Sequence, residues 1–138
     1  MATQYQAREL QLPPASPEAV PYWDAAAEGR LLVKHCDACG RSHHYPRTLC
    51  PLCGSDRTTW QQADGRGVIY ALSVTRRGTP TPYAMAYVQL PEGVTLMTNI
   101  VDCDLDALRI GDPVEVVFVP ATGGQKIPMF RPLQTRDA

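Results

Sequence analysis

No stretch of this 138-residue chain approaches the roughly 20 consecutive apolar residues that a membrane-spanning helix needs, so nothing in it is expected to cross a bilayer. Neither sign of charge dominates. Lys and Arg number 13 against 14 Asp and Glu, giving a formal net charge of −1 and a pI near 6.3. The segments before and after Trp60 are balanced as well, six basic to six acidic and then seven to eight. A global basic field that would gather phosphate backbones is therefore missing. Large apolar residues are scarce: Leu, Ile, Val and Phe make 29 residues, about 21% of the chain, just above the level where disorder becomes the default. The core must be small. The N-terminus also lacks the charged-then-apolar layout of a secretory signal, which points to a reducing cytoplasm. No HExxH, P-loop, GxGxxG or Ser/His/Asp arrangement occurs, so no residue is assigned a catalytic role.

What the chain has in quantity is proline, 13 residues or about 9%, which disfavours long helices and favours strands and turns. Residues 1–15 read as an arm closed by Pro13-Pro14, and a frayed end is the commoner fate of such a segment than a docked one. A short helix is predicted from Pro21 to Glu28, with Trp23, Ala26 and Ala27 on one face and Gly29 as its C-terminal stop. Leu31 to Val33 then form a strand leading into Cys36. After Gly65 the pattern becomes that of strands: 68–75, 83–90, 94–101, 114–119 and 127–131. In the first of these, Val68, Tyr70, Leu72 and Val74 alternate with Ile69, Ala71, Ser73 and Thr75. Asp104 caps a single helical turn between the third and fourth strands. Five strands with that turn are the layout of an OB-type barrel.

The strongest chemical signal is Cys36-Asp37-Ala38-Cys39-Gly40 followed by Cys50-Pro51-Leu52-Cys53-Gly54. Each half is a knuckle in which two thiolates lie three residues apart and the glycine permits the left-handed turn behind them. Two knuckles bring Cys36, Cys39, Cys50 and Cys53 around one tetrahedral Zn²⁺, a closed and hence structural site. Iron is an alternative, since the same four sulfurs accept it. Metal binding would also supply folding free energy that so few apolar residues cannot. His35, His43 and His44 flank the knuckles and read as exposed or locally hydrogen-bonded rings, with replacement of a cysteine ligand as the competing role. Cys103 makes the cysteine count odd. Between Asp102 and Asp104 it reads as a small, partly buried residue whose thiol is held protonated by its acidic neighbours.

Taken in order, Pro21-Tyr22-Trp23, Glu28-Gly29-Arg30-Leu31, the two CxxCG knuckles, Gly65-x-Gly67-x-Ile69-Tyr70, Val101-Asp102-Cys103-Asp104, Leu108-Arg109-Ile110-Gly111 and Val114-Glu115-Val116-Val117-Phe118 carry a resemblance over residues 18 to 132. The chain resembles the DUF35 family, whose members join a rubredoxin-like zinc ribbon to an OB-fold. The resemblance implies a mainly β architecture: an N-terminal arm and helix (1–30), a zinc ribbon (31–62) and a five-stranded OB-fold barrel (63–134). It places the family's zinc ligands on Cys36, Cys39, Cys50 and Cys53. It further implies a non-catalytic accessory subunit that docks on a separate thiolase, thiolase-like aldolase, hydratase or acyltransferase acting on CoA thioesters, and that can contact acyl-CoA.

Two other functional classes compete. OB-folds and zinc ribbons also serve as modules for single-stranded nucleic acid, where basic grooves and aromatic platforms are required. Tyr70, Tyr83 and Tyr87 could stack bases, although aromatic residues on half-buried strands usually belong to the core. An iron-loaded Cys₄ site would instead make an electron carrier. Arg76, Arg77 and Lys126 are the candidates to meet CoA phosphates, against the simpler reading of a solvated surface.

Overall fold

Prolines fix where the only α-helix among the described residues can begin. In the computed structural model, which describes residues 3–12 and 14–133, one turn of 3-10 helix (Pro17–Ala19) leads into α1 (Val20–Ala27). Pro21 occupies the first turn of α1, where its missing N–H has no partner to lose. Gly29, at φ +81°, ends the helix, and the N–H of Arg30 closes back on the Ala25 carbonyl at 2.9 Å. The buried stripe differs from the one expected. It is Tyr22, Ala25 and Ala26, with Trp23 half-buried and Ala27 exposed. The stripe is set by Tyr22, which is buried in the core cluster, whereas Trp23 packs against that cluster only in part.

Three strands make the ribbon: β1 (Leu32–Cys36), β2 (Ser42–His43) and β3 (Thr58–Gln62), antiparallel in the order β2-β1-β3. Lys34 on β1 lies almost buried, its ammonium 4.6 Å from the centre of the Trp60 ring and 3.3 Å from the Thr58 hydroxyl. Its charge is thereby covered by a π face and an acceptor.

Five further strands, β4 (Arg66–Thr75), β5 (Tyr83–Gln89), β6 (Thr95–Ile100), β7 (Pro113–Pro120) and β8 (Lys126–Pro132), close into a barrel in the order β4-β5-β6-β8-β7. All neighbours are antiparallel except β6 and β8, which meet in parallel at Ile100 and Phe130. A 3-10 turn (Leu105–Ala107) connects β6 to β7, and the Asp104 carboxylate caps it by accepting from the Asp106 N–H. The mainly β, OB-type architecture expected from the strand spacing is the one observed.

The simple alternation expected for β4 does not hold. Ile69 pairs with Val88 and Ala71 with Tyr87, so two residues on β4 advance against one on β5. Tyr70 is the extra residue of a β-bulge. Val68 and Tyr70 consequently face outward, whereas Leu72 and Val74 turn inward against the core.

The arm is docked rather than frayed. Gln4 bridges Asp104, the Tyr5 N–H donates to the Cys103 carbonyl at 2.8 Å, and the Leu105 N–H donates to Thr3 at 2.7 Å. Further on, Arg8 lies 4.3 Å from the Tyr83 ring centre and donates to Asn99 Oδ1, and Leu10 accepts from the Thr122 N–H. These backbone partners satisfy groups that a free segment would leave to water. Pro14 is described and exposed; Pro13, the other residue of the pair read as closing the arm, lies outside the described residues.

One core serves all parts. Ile69, Val88, Ile100, Leu105, Val114 and Phe130 of the barrel pack in the same buried cluster as Tyr22, Leu31 and Val33 from α1, its following turn and β1. Gly67 sits so close to β5 that a Cβ there would lie 2.7 Å from both the Gln89 carbonyl oxygen and Val88 Cγ1. Gly67→Ala is therefore expected to cost about 1–3 kcal/mol through forced displacement of β5. A thermal melt of the variant beside the wild-type chain checks this, and an unchanged melting temperature would show that the approach is not tight.

Candidate metal centre and the surrounding surface

The CxxCG spacing builds each knuckle from local hydrogen bonds. In the first, the Gly40 N–H donates to the Cys36 carbonyl at 2.8 Å and the Cys39 N–H points at Cys36 Sγ at 3.5 Å. In the second, Gly54 donates to the Cys50 carbonyl at 2.8 Å, and the Leu52 N–H approaches Cys50 Sγ at 3.3 Å. Gly40 and Gly54 both take positive φ, +76° and +83°, as this turn requires. The Asp37 N–H bonded to the Arg57 carbonyl, with β1 paired along β3 from Leu32 to Cys36, carries the first knuckle to the second.

All four sulfurs then lie within 4.8 Å of one another, with Cys36 to Cys53 at 3.6 Å and Cys39 to Cys50 at 3.8 Å. A tetrahedral ion with metal–sulfur bonds of about 2.3 Å needs sulfur–sulfur edges of roughly 3.8 Å, so the donor set fits such an ion. Cys36 and Cys50 are buried, Cys39 is half-buried, Cys53 is exposed, and none of the five cysteines is in a disulfide. The Cys39 thiol is drawn down to about 7, foremost by the Arg41 backbone N–H aimed at it and then by hydrogen bonds from the neighbouring cysteines, which act against its desolvation. Thiolates gathered this closely repel one another, and a divalent cation removes that repulsion.

The histidines stand apart from the sulfurs. His35 Nδ1 shares a hydrogen bond with the Ser42 hydroxyl at 3.0 Å. His43 is buried and accepts from the Arg47 N–H through Nε2 at 3.3 Å, while burial lowers its pKa. His44 is lowered further, to about 4, by burial and then by His43 beside it. It packs against Tyr22 and Tyr45, whose hydroxyl accepts from Trp23 Nε1 at 2.8 Å. These rings form an aromatic brace between α1 and the ribbon.

Cys103 is half-buried, and its thiol is pushed up to about 11. Burial is the first cause; Asp104 and Asp102, the neighbours on which the sequence argument rested, come second. A protonated thiol at neutral pH is a poor nucleophile.

Arg76, Arg77 and Lys126 are not brought together as one cluster. Arg76 is paired with Asp106, whose carboxyl is held below its usual range by the Thr3 hydroxyl and then by Arg76. Extending the strand registers puts Arg76 one residue beyond the level of Val101 and Lys126 at the level of Leu96, a separation of roughly 20 Å measured along the strands. Arg77 and Lys126 make no ion pair among the described residues.

Sequence reasoning missed an apolar outer face. Tyr70 and Tyr87 are exposed, not core; Tyr83 is half-buried beneath Arg8. The signal was present in β5, where small Ala84 and Ala86 face inward and the larger Met85 and Tyr87 face outward. No outward residue of β5 or β6 is charged, and Arg8 over Tyr83 brings a cation only to the margin, so Tyr70 and Tyr87 lack the basic groove that a nucleic-acid platform needs.

Comparison with known proteins agrees with this geometry. Residues 23–59 match the pattern described as the ChsH2 rubredoxin-like zinc ribbon domain, and residues 60–119 match the ChsH2 C-terminal OB-fold domain. A probable enoyl-CoA hydratase alpha subunit of Thermomonospora curvata is 33% identical over 135 residues, covering 94% of this chain, which spans only 42% of that longer protein. The benzoylsuccinyl-CoA thiolase subunit BbsA of Geobacter metallireducens is 28% identical over 62% of this chain and 59% of its own length. A DUF35 domain-containing scaffold protein of Methanothermobacter thermautotrophicus is 38% identical over 96 residues, 64% of this chain and 71% of its own length. Among solved structures, a chain of the Ltp2-ChsH2(DUF35) aldolase superposes with a TM-score of 0.76 at 33% identity, covering 88% of this chain and 98% of that one. Identity of this order, sustained across ribbon and barrel together, shows that the chain belongs to the DUF35 family.

Proposed function

We propose that this protein is a non-catalytic accessory subunit of a separate enzyme acting on CoA thioesters, of thiolase, aldolase or hydratase type. The observation that carries the reading is the 33% identity over 98% of a chain in the Ltp2-ChsH2(DUF35) aldolase. Supporting it are the hydratase alpha subunit and the thiolase subunit among the relatives. The molecule itself offers a complete ribbon and barrel, while its one perturbed thiol outside the sulfur cluster, Cys103, is held protonated.

In this reading Cys36, Cys39, Cys50 and Cys53 hold one structural zinc, and the four sulfurs leave it no open position for substrate. Five cysteines free of disulfides suit a reducing, cytoplasmic setting. The division into arm and helix (1–30), ribbon (31–62) and barrel (63–134) is supported by the junction of the two matched patterns between residues 59 and 60. Any contact with CoA phosphates falls to Arg77 or Lys126 before Arg76, since Arg76 is already engaged by Asp106.

Three outcomes are expected. The purified protein is colourless and yields about one zinc per chain, and Cys36→Ser loses the metal and unfolds the ribbon; a red iron-loaded protein, or a metal-free variant with an unchanged melt, would contradict the structural zinc. Affinity purification from the native host recovers a thiolase-, aldolase- or hydratase-like subunit whose activity falls when this chain is removed; full activity of that enzyme alone would sink the accessory role. In a CoA titration of the complex, Arg77→Ala or Lys126→Ala weakens binding several-fold and Arg76→Ala does not, consistent with charge-assisted phosphate contacts.

A further inference from the structure

The outer face of β4, β5 and β6 carries more exposed apolar surface than the fold requires. Tyr70 is 62% exposed, Met97 58%, Tyr87 46%, Val68 41% and Met85 40%. Strand register makes these one patch. Tyr87 pairs directly with Met97 across β5 and β6, and with Ala71, the residue after the bulge that lifts Tyr70 outward. Val68 lies two pairs along, opposite Gln89, and so returns to the same face. At these exposures the five side chains present on the order of 500 Å², which is at the upper end of what a monomer leaves open. A stable protein interface takes ~800 Å² from each partner, so this patch would supply the apolar centre of one and leave room for a rim.

A rim is present. Gln89, Thr95 and Asn99 are further outward residues of β5 and β6, polar and uncharged, and Tyr83, at the end of β5, is covered by Arg8. Charge begins only at the margins, with Arg66 opening β4 and Arg8 bonded to Asn99. Tyrosine and methionine are enriched at interface centres, and charged residues are depleted there. Beside the patch runs a cleft of about 410 Å³, floored by Tyr87, Met97 and Pro128 and walled by Trp23 and Tyr45 of the aromatic brace. It is large enough to take an apolar side chain inserted by a partner.

We infer that this face, with its cleft, is where the CoA-thioester enzyme subunit docks, through an uncharged apolar patch that places one large side chain beside Tyr87 and Met97. The inference rests on the accessory role proposed above. Complementarity here is apolar, so attachment is insensitive to salt. A nucleic-acid strand would need cations on this face, and it has none in its centre.

The test uses the enzyme subunit recovered with the wild-type chain, produced separately and titrated with the full chain. Tyr87→Ser/Met97→Ser is expected to weaken binding about 30-fold or more, as loss of a hot spot does. Leu49→Ser, at an exposed apolar position on the ribbon, should bind as wild type does. Affinity should change less than about threefold between 50 and 500 mM NaCl. Circular dichroism and melting of each variant establish that the fold is kept; if the double variant unfolds, Tyr87→Gln and Met97→Gln singly take its place. Recovery of no such enzyme overturns the accessory role and this inference with it. Recovery followed by unchanged affinity of the face variants overturns the docking face alone. Loss of affinity through Leu49→Ser places docking on the ribbon instead. Self-association of the isolated chain, vesicle flotation or single-stranded DNA binding that the face variants abolish would each give the face to another occupant and overturn the inference.

Discussion

A chain with too few large apolar residues for two cores has built one and shared it. Leu31 and Val33 of the ribbon side and Tyr22 of α1 lie in the same buried cluster as the barrel's Ile69, Ile100 and Phe130. The barrel therefore does not seal on its own residues. Its sheet closes on itself, but its buried cluster is completed by the helix and by the strand that ends in Cys36, and everything else follows from that dependence. The sulfur cluster anchors the far end of β1, β1 delivers Val33 into the core, and the aromatic brace of Tyr22, Trp23, Tyr45 and His44 fixes the angle between the parts. A metal held by the four sulfurs would act in series with hydrophobic burial, since β1 runs from one to the other.

Much of this was legible in the sequence because the relevant forces are local. A CxxCG knuckle dictates its own turn, Pro21 and Gly29 bracket a helix, and Asp104 caps the turn that follows it. What escaped the sequence depends on partners distant along the chain. The docking of residues 3–10 relies on carbonyls and N–H groups at Cys103, Leu105 and Thr122, which no local pattern announces. The helix stripe was read one residue out because Tyr22, and not Trp23, found space in the core. For Cys103 the direction expected of its thiol, upward, is the one found, but burial outweighs the flanking acids in raising it.

The outer surface was the least legible part, for a physical reason. Alternation along a strand is normally read as apolar-in and polar-out, and β5 inverts the sizes within an almost wholly apolar run. Alanines fill a narrow barrel interior, and bulk goes outside. A monomer that had only to fold would gain nothing from Met85 and Tyr87 in water. Their placement is understandable when the molecule is one component of a larger assembly, as in the accessory role proposed above.

Tyr70 shows how such a surface can change without disturbing what lies beneath it. Were Tyr70 omitted, Val68 would still point out, Ile69 in, Ala71 out and Leu72 in, an uninterrupted strand with the same interior. The bulge residue is thus a supernumerary position, invisible to the packing below. Selection can revise the side chain there, or dispense with it, while the barrel keeps its phase, and closely related chains can in this way acquire different companions from one unchanged scaffold.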